Sequence, residues 1–448
     1  MNEKLEKMKN EMRGKCAALI GFGVSNRAAA RFLISVGMTV TAYDAKSSDE
    51  AISLAREMGI DLIECGEFDG IDADIVLRSP GVRPDAIGIS RGEMTSEMEL
   101  FVSLCPCPIC AVTGSDGKTT TTTLISKMLE AEFHGTGRRV WLGGNIGTPL
   151  LPEIGKIGEC DVCVLELSSF QLMTMNFSPR VAVVTNVSPN HLNWHLSMDE
   201  YVASKRRIFE NQTADCRLVV NVENAITAGF AADARGEVLT FSSKKSADAT
   251  IANGAIYIGG RRIIPISEII IPGVHNAENM MAAMLAVSGV VSDENMRKVA
   301  RTFRGVPHRA ELVLERGGVR FYNSSIDTSP TRTVAALSAF DKKVIVIIGG
   351  YDKHIPPEPL ILPLKEKTKM IFCTGDTGRA IFDMMTGAGY AGDITYTEDF
   401  DEAVTRAAES AESGDTVILS PAAASFDRFK NFEERGERFV QILKNINM

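Results

Sequence analysis

The amino-acid sequence predicts an α/β protein made of three domains. Short β-branched runs alternate with glycine-containing turns and with stretches of helical periodicity, which is typical of repeated strand–helix units. Near-continuous apolar runs such as Ile109–Thr113 and Val344–Ile348 indicate parallel strands that are buried on both faces. Further strands are predicted at Cys16–Ile20, Thr39–Tyr43, Asp74–Leu77, Val162–Leu167, Val181–Thr185, Met370–Cys373 and Thr416–Leu419, with a β insert around Gly254–Ile264.

Length and composition place the chain among ordinary globular proteins. It has 448 residues, of which 45% are hydrophobic and 23% are charged, and this balance excludes wholesale disorder. The turn-forming stretches CPCPIC near residue 104 and RGVPHR near residue 305 predict domains at 1–103, 104–305 and 306–448. The net charge of −9 argues against sequence-independent binding of nucleic acid, which requires neutralisation of phosphates.

The N-terminal stretch and the cysteines of the sequence predict a cytoplasmic location. The charged N-terminal stretch lacks the apolar core of a signal peptide, and no run of 18 apolar residues predicts membrane insertion. The nine cysteines include C-x-C-x-x-C at Cys105–Cys110 and C-x-x-C at Cys160–Cys163. A metal site is one interpretation of these clusters. Reduced, buried thiols in a cytoplasmic protein are the favoured one, because prolines interrupt the first cluster.

A glycine turn follows the first predicted strand. Gly21 and Gly23 precede a helix, Asn26 stands where a third glycine is usual, and the next strand ends at Asp44, about twenty residues downstream. This layout is typical of a dinucleotide-binding turn, although a tight turn that binds nothing has the same pattern. The turn Ser79–Val82 follows the third strand and is expected at the same edge of the sheet.

A second glycine loop, Gly114–Thr120, predicts a phosphate site. Its backbone N–H groups can surround a polyphosphate, Lys118 supplies a positive charge, and a threonine hydroxyl can bind Mg²⁺. The spacing departs from the full Walker motif, since Val112 stands in place of the first glycine. A glycine-rich helix cap is the alternative. Glu166, at the end of the next long strand, is either a second anchor for the metal ion or a surface charge.

Other polar residues follow strands of the middle domain. Asn145, Ser168 and His191 are expected at the edge of the sheet that carries the phosphate loop. His191 is interpreted either as a structural residue or as a ligand. Lys205 shares an otherwise apolar helix face with Tyr201, so it either extends to solvent or is held inside for chemistry.

Several motifs, in one order along the chain, resemble those of the Mur ligases of bacterial cell-wall synthesis. The resemblance covers essentially the whole chain. It rests on GSDGKTTTT (114–122), GGNIG (143–147), ELSSFQL (166–172), TNVSPNHLNWH (185–195), YVASKRRIFENQ (201–212), HNAENMMAA (275–283), FRGVPHR (303–309), GGYDK (349–353) and SPAAASFDRFKNFEERG (420–436). ELSSFQL and the last motif are most similar to those of the members that add D-glutamate.

The resemblance implies an ATP-dependent amide ligase. Its N-terminal domain is Rossmann-like and holds a UDP-sugar, its central domain is P-loop ATPase-like and binds ATP and Mg²⁺, and its C-terminal domain is Rossmann-like and binds the amino acid. The implied reaction adds D-glutamate to UDP-N-acetylmuramoyl-L-alanine through an acyl phosphate and releases ADP and phosphate, in peptidoglycan precursor synthesis. The implied partners are these small molecules, with no nucleic acid and no membrane.

The resemblance also implies site residues. Catalysis is assigned to Lys118, Glu166, His191 and Lys205, and two Mg²⁺ sites to Thr119, Glu166, His191 and Lys205, with Lys205 carbamylated. ATP is assigned to Gly114, Ser115, Asp116, Gly117, Lys118, Thr119, Thr120, Asn276, Asn279 and Arg309. The UDP-substrate is assigned to Gly23, Val24, Ser25, Asn26, Asp44, Ser79, Gly81, Asn145, Ser168, Ser169 and Gln171, and D-glutamate to Thr328, Lys353, Ser425 and Phe432.

Two positions depart from the family pattern. Ser324 stands where an aspartate is frequent, and Asn193 replaces the aspartate that is usual two residues after the motif histidine. These departures affect the details of nucleotide and metal binding rather than the class of reaction. The alternatives are another amide ligase of the superfamily, such as a different Mur ligase or a folylpolyglutamate synthase, and a non-catalytic nucleotide-binding homologue.

Overall fold

Three β-sheets follow one another along the chain in the computed structural model, which describes residues 2–192 and 194–446. The chain divides into two units, Met1–Ile263 with Asn279–Val299, and Ile264–Glu278 with Ala300–Met448. The first sheet and most of the second belong to the first unit, and the third sheet belongs to the second unit. The predicted α/β class is confirmed, whereas the domain boundaries at 103 and 305 stay predictions.

The first sheet is parallel and has the strand order β3-β2-β1-β4-β5. The chain winds outwards from β1 in one direction and then crosses to β4 on its other side, so a switch point lies between these two strands. The strands are β1 (Cys16–Ile20), β2 (Thr39–Asp44), β3 (Asp61–Glu64), β4 (Phe68–Arg78) and β5 (Ile87–Thr95), and the helices are α1 (Glu3–Met12), α2 (Val24–Ser35), α3 (Asp49–Met58) and α4 (Glu97–Leu104).

The second sheet has nine strands, in the order β14-β13-β12-β11-β10-β9-β6-β8-β7. The strands are β6 (Ile109–Thr113), β7 (Val140–Gly144), β8 (Val162–Glu166), β9 (Val181–Val184), β10 (Arg217–Asn221), β11 (Glu237–Ser242), β12 (Ala249–Ala252), β13 (Ala255–Ile258) and β14 (Arg261–Pro265). The helices are α5 (Lys118–Glu132), α6 (Ser169–Leu172), α7 (Met198–Glu210), α8 (Ala225–Phe230), α9 (Val274–Val287) and α10 (Asp293–Thr302). Strands β13 and β14 confirm the predicted β insert.

The third sheet has the order β15-β16-β20-β17-β18-β19, and only its edge pair β15–β16 is antiparallel. The strands are β15 (Glu311–Arg316), β16 (Val319–Asn323), β17 (Val344–Ile348), β18 (Thr368–Thr374), β19 (Asp393–Thr397) and β20 (Thr416–Leu419). The helices are α11 (Pro330–Ser338), α12 (Ile361–Lys367), α13 (Gly375–Gly387), α14 (Phe400–Glu409) and α15 (Phe432–Asn445).

Burial explains why the apolar runs predicted strands. Every residue of β6 and β17 is buried. Alternate residues of β17 enter two cores, with Val346 on one face of the sheet and Ile347 on the other. A strand covered on both faces needs apolar residues throughout, and the run in the sequence reflects that requirement.

Membrane insertion is a separate question from fold class. Within residues 2–192 and 194–446, we find no helix that combines the length and the apolar character needed to cross a bilayer.

Candidate active site

The glycine turn after β1 lies at the switch point of the first sheet. Gly21 has a φ of +79°, and a Cβ there would lie 2.9 Å from the Cβ of Ser79, so the turns after β1 and β4 approach closely. Gly23 precedes the first residue of α2. Asp44 accepts a hydrogen bond of 2.8 Å from the N–H of Phe22 through Oδ2. The predicted Gly23, Ser79 and Asp44 therefore meet at one edge, as expected for a dinucleotide-type turn.

Asn26 stabilises this turn from inside the protein. It is fully buried, and its Nδ2 donates to the carbonyl oxygens of Ile20, Gly21 and Leu77 at 3.1, 2.8 and 3.2 Å. The amide group thus fixes both strands at the switch point, which a third glycine could not do. Direct contact of Asn26 with a UDP-substrate stays a prediction, as do the contacts of the exposed Val24 and the half-buried Ser25.

The phosphate loop between β6 and α5 has the backbone that its sequence predicts. Gly114 has a φ of +153°, and Gly117 has a φ of +78° and precedes α5 directly. A Cβ at Gly114 would lie 1.9 Å from the Thr185 hydroxyl, and a Cβ at Gly117 would lie 2.2 Å from Oδ1 of Asn279. Only glycine fits both positions. The loop leads directly into α5, and the N–H groups at the start of a helix suit an anion.

Side chains from neighbouring loops hold this loop in place. Ser115 donates through Oγ to the carbonyl of Ser188 at 3.0 Å and lies 2.9 Å from the hydroxyl of Tyr201. The N–H of Asp116 donates to Asn186 Oδ1 at 3.0 Å. The structure thus gathers the ends of β6 and β9 and the helix α7 around the loop.

Two lysines converge on the carbonyl oxygen of Gly114. Lys118 Nζ donates to it at 3.0 Å, and Lys205 Nζ donates to it at 2.7 Å. Lys205 is only 1% exposed, so the interpretation that it extends to solvent is wrong. Burial, and then the neighbouring Lys118, hold the pKa of Lys205 well below its usual value, which favours the neutral amine.

Glu166 lies at the carboxyl end of β8 with its carboxylate buried. Oε1 accepts a hydrogen bond from Asn145 Nδ2 at 2.8 Å, whereas Oε2 is buried without a hydrogen-bond partner. A buried carboxylate oxygen in this condition is costly unless a cation or a proton meets it. The donor set therefore fits a hard divalent cation, which takes oxygen ligands.

The short helix α6 places the serines that follow Glu166. Ser168 precedes it, and its Oγ and N–H both donate to Gln171 Oε1, at 2.9 and 3.0 Å, while Gln171 N–H donates back to Ser168 Oγ. Ser168 and Gln171 thus use much of their hydrogen-bonding capacity on each other. Their contact with the muramoyl part of a substrate stays a prediction.

Ser169 belongs to a chain of polar groups that the sequence did not reveal. Its Oγ lies 2.9 Å from Nε2 of His195, whose Nδ1 lies 3.3 Å from Glu200 Oε2. Glu200 pairs with Arg83 at 3.0 Å, and this arginine holds the pKa of Glu200 at about 2. Burial lowers the pKa of His195, which favours the neutral ring. Arg83 comes from the turn after β4, and it therefore links that turn to α6.

Two further contacts join the same turn to the middle sheet. Arg78 is fully buried, and it donates to the carbonyls of Val82 at 2.8 Å and Phe170 at 2.7 Å. Trp194 Nε1 donates to the carbonyl of Gly81 at 3.1 Å. Trp194 and His195 lie in a motif quoted for the family resemblance, but the motif does not indicate which distant residues they contact.

His191 is exposed, with a φ of +55°, and its ring packs edge-on against Phe170 with the centroids 4.9 Å apart. It follows β9 on the loop that also carries Asn186, as predicted. Asn193, the departure from the family pattern, lies outside the described residues.

Asn276 and Asn279, two of the residues assigned to ATP, lie in different units and make different hydrogen bonds. Asn279 belongs to the first unit, where it accepts from Thr121 Oγ1 at 3.4 Å beside Gly117 of the phosphate loop. Asn276 belongs to the second unit, where its Nδ2 donates to the carbonyl of Pro272 at 2.6 Å. Arg309 also belongs to the second unit, where burial raises the pKa of Asp327 to about 6 and the charge of Arg309 partly opposes that rise.

The residues predicted to bind D-glutamate follow neighbouring parallel strands of the third sheet. Thr328 comes after β16, Lys353 after β17 and Ser425 after β20. Lys353 is exposed, Ser425 is buried, and Phe432 begins α15. Parallel strands bring their carboxyl ends to one edge, so these positions form one candidate site.

A buried arginine on α15 supports the loops of this site. Arg435 donates through its guanidinium to the carbonyls of Ala423, Ala424 and Ser325 and to Ser325 Oγ, at 2.8–3.1 Å. Burial lowers its pKa to about 10. The residue lies in a motif quoted for the family resemblance, but its role depends on contacts that the sequence does not reveal.

Comparisons with known proteins agree with this arrangement. The family model of the Mur ligase middle domain matches residues 112–287, and that of the Mur ligase glutamate ligase domain matches residues 308–423. The UDP-N-acetylmuramoylalanine–D-glutamate ligases of Acetivibrio thermocellus and Clostridium perfringens are 47% and 45% identical to this chain, and each alignment covers 100% of both proteins.

Solved structures share the fold at low identity. The UDP-N-acetylmuramate-alanine ligase MurC of Thermotoga maritima is 20% identical, with a TM-score of 0.60 over 96% of this chain and 99% of that one. FolC of E. coli in complex with ADP is 16% identical, with a TM-score of 0.53 over 77% and 91%. These likenesses confirm the predicted three-domain α/β architecture. Together with the full-length relatives they show that the chain belongs to the Mur ligase family, among the UDP-N-acetylmuramoylalanine–D-glutamate ligases.

Proposed function

We propose that this protein joins the amino group of D-glutamate to the carboxyl group of UDP-N-acetylmuramoyl-L-alanine, with ATP as the energy source. ADP and phosphate are released, and the product is a precursor of peptidoglycan. The observation that carries the proposal is the convergence of Lys118 and Lys205 on the phosphate loop beside the buried carboxylate of Glu166. A protein that only bound a nucleotide would have no need of a buried lysine and a buried glutamate beside the phosphate loop.

The loop and Lys118 handle the phosphates. A carboxylate is a poor electrophile, and transfer of the γ-phosphoryl group of ATP to it forms an acyl phosphate with a good leaving group. The N–H groups at the start of α5 and the Lys118 ammonium stabilise the negative charge on the phosphoryl oxygens during this transfer. The amine of D-glutamate then attacks the acyl carbon, and phosphate leaves.

The donor set fits Mg²⁺, which would offset phosphate charge when bound. Thr119 and Glu166 are the oxygen donors proposed for one ion, and His191 and a modified Lys205 for another. A buried lysine with a lowered pKa is a neutral amine that can react with carbon dioxide. The carbamate so formed carries a negative charge, and a proton is released. Lys205 would then be an anionic oxygen donor rather than a cation.

The loops of the first and third sheets carry the proposed binding sites for the other two substrates. We assign the UDP-sugar to the edge where Gly23, Asp44 and Ser79 meet, and D-glutamate to the loops that carry Thr328 and Lys353. All nine cysteines lie in the described part of the chain as free thiols, which supports a location in the cytoplasm, where ATP and UDP-sugars are made.

A phosphate-release assay tests the proposal. Release from ATP should require both UDP-N-acetylmuramoyl-L-alanine and D-glutamate, and omission of either should stop it. Turnover with L-lysine or diaminopimelate in place of D-glutamate would indicate a different Mur ligase, and turnover with a folate would indicate a folylpolyglutamate synthase. Binding of ATP without turnover of any of these would indicate a non-catalytic homologue.

A further inference from the structure

Three cysteines form a buried cluster that the proposed reaction does not use. Cys105 and Cys107 lie between α4 and β6, and Cys163 lies in β8. They are 5%, 7% and 0% exposed. Their sulfur atoms are 3.6 Å apart for Cys105 and Cys107, 3.6 Å for Cys105 and Cys163, and 3.5 Å for Cys107 and Cys163. All three side chains thus point to one place in the core of the first unit.

We propose that Cys105, Cys107 and Cys163 bind a thiophilic divalent cation of the zinc class. In a tetrahedral site with Zn–S bonds of about 2.3 Å, neighbouring sulfurs lie roughly 3.8 Å apart. The three observed separations therefore match one face of such a tetrahedron to within a few tenths of an ångström. The carbonyl oxygen of Cys107 lies 3.6 Å from Cys105 Sγ, so a polar oxygen also borders the cluster.

A filled site would carry little net charge. Three thiolates and one divalent ion carry a net charge of −1, and up to three protons are released on binding. Lys4 of α1 acts electrostatically on Cys105 and offsets that charge. Asn2, two residues earlier, anchors α1 through a 2.8 Å hydrogen bond to the carbonyl of Leu104.

The cluster is separate from the candidate active site. Cys163 precedes Glu166 by three residues in β8, roughly 10 Å along the strand. Cys163 also belongs to the apolar core, together with Leu5 and Leu104. A metal ion at this place would cross-link the segment before β6 to the centre of the sheet, and its role would be structural.

The test measures metal content and spectra of the full-length protein. After exposure to zinc and gel filtration, wild type should retain about one zinc ion per chain more than the Cys105→Ser/Cys107→Ser/Cys163→Ser variant. Cys110→Ala is the matched control, because Cys110 is a buried cysteine of the neighbouring strand β6 that stands outside the cluster. It should retain as much zinc as wild type. Zinc bound at the active site is common to all variants and cancels in the comparison.

Cobalt gives a readout that needs no variant. Co²⁺ bound by wild type should show sulfur-to-metal charge transfer in the near ultraviolet and the strong visible bands of tetrahedral cobalt. Zinc should also raise the Tm of wild type and of Cys110→Ala, because a ligand that binds the folded state stabilises it. Equal zinc in wild type and the triple variant, or a wild-type cobalt spectrum without thiolate bands, would overturn the proposal and leave three hydrogen-bonded thiols. A disulfide within the cluster in protein purified without reductant would overturn it as well.

Discussion

The loops that follow the middle sheet and those that follow the third sheet both carry predicted substrate-binding residues, yet they are held in different ways. At the middle sheet the functional side chains themselves are fixed, since Lys118 and Lys205 both bond to Gly114. At the third sheet Lys353 is exposed, and Arg435 fixes the loop backbones instead. The lysines proposed to stabilise phosphate charge are thus held by hydrogen bonds, whereas the exposed Lys353, proposed to bind the amino acid, depends on loops that are fixed through their backbones.

Replacement of Lys205 should have the largest effect. We expect Lys205→Ala to reduce kcat by about a thousand-fold, because it removes a group held at the proposed site of phosphoryl transfer. Formate or acetate should restore part of the activity if the lysine acts as a carbamate. Lys127→Ala, which changes an exposed lysine on α5, is the control and should leave kcat unchanged.

The carbamate itself has an independent readout. Carbon-13 NMR of the protein in labelled bicarbonate should show a carbamate signal in wild type that is lost in Lys205→Ala. An active wild-type enzyme without that signal, together with no rescue by short carboxylic acids, would contradict the assignment.

The second-largest expected effect is a loss of stability when Arg435 is replaced. Arg435→Met leaves the carbonyls of Ala423, Ala424 and Ser325 without their donor, and we expect a loss of about 3 kcal/mol in the free energy of unfolding. Denaturant unfolding measures this loss. Arg438→Met on the same helix removes an exposed ion pair with Asp401 and should cost less than about 1 kcal/mol. Similar losses for the two variants would mean that the buried hydrogen bonds do not hold the loops.

Lys353→Ala should weaken the use of D-glutamate and leave ATP binding unchanged. We expect kcat/KM for D-glutamate to fall roughly 30-fold, which corresponds to one charge-assisted hydrogen bond of about 2 kcal/mol. The affinity for ATP, measured by calorimetry, should not change. Lys342→Ala, also exposed on the third domain, is the control. An equal loss of ATP and D-glutamate binding in Lys353→Ala would contradict its assignment.

The smallest expected effect concerns pH and stability. Burial raises the pKa of Glu97 to about 7, and its Oε1 has no hydrogen-bond partner. Since the folded state holds the proton more tightly than the unfolded state, this residue's contribution is fully present below pH 4.5 and is lost as the pH rises to about 7. Glu97→Gln should therefore be more stable than wild type at pH 8, and the gain should vanish near pH 4.5.

Chemical denaturation at several pH values checks this prediction, with Glu57→Gln as the exposed control. Asp327 offers a comparison in the second unit, where burial raises the pKa to about 6 and Ser420 donates to the carboxylate. Asp327→Asn should give a gain of the same sign at high pH. A gain for Glu97→Gln that does not change with pH would show that ionisation is not its cause.

Two of the strands that the sequence predicted are buried on both faces. Ile109–Thr113 and Val344–Ile348 agree with the structure to the residue, since each is an unbroken run that ends where polar loop residues begin. The start of β4, Phe68–Ala73, was not predicted. It is polar and partly exposed, so hydrophobic periodicity gives no signal there. The antiparallel edge strand β15 was missed for the same reason.

The candidate site also contains one part that could be predicted from the sequence and one part that could not. The phosphate loop could be predicted because its chemistry lies within seven consecutive residues, from Gly114 to Thr120. The links from Ser169 through His195 and Glu200 to Arg83 could not, because those residues are distant in sequence and no local pattern connects them.

The sequence alone determined the α/β class, the phosphate loop and the family, because buried parallel strands and short glycine loops leave local patterns in the chain. Only the tertiary structure decided that Lys205 is buried, that Glu166 keeps an oxygen without a donor, and that three cysteines meet. Burial and ionisation depend on which distant segments exclude water from a side chain, and that is a property of packing rather than of neighbouring residues.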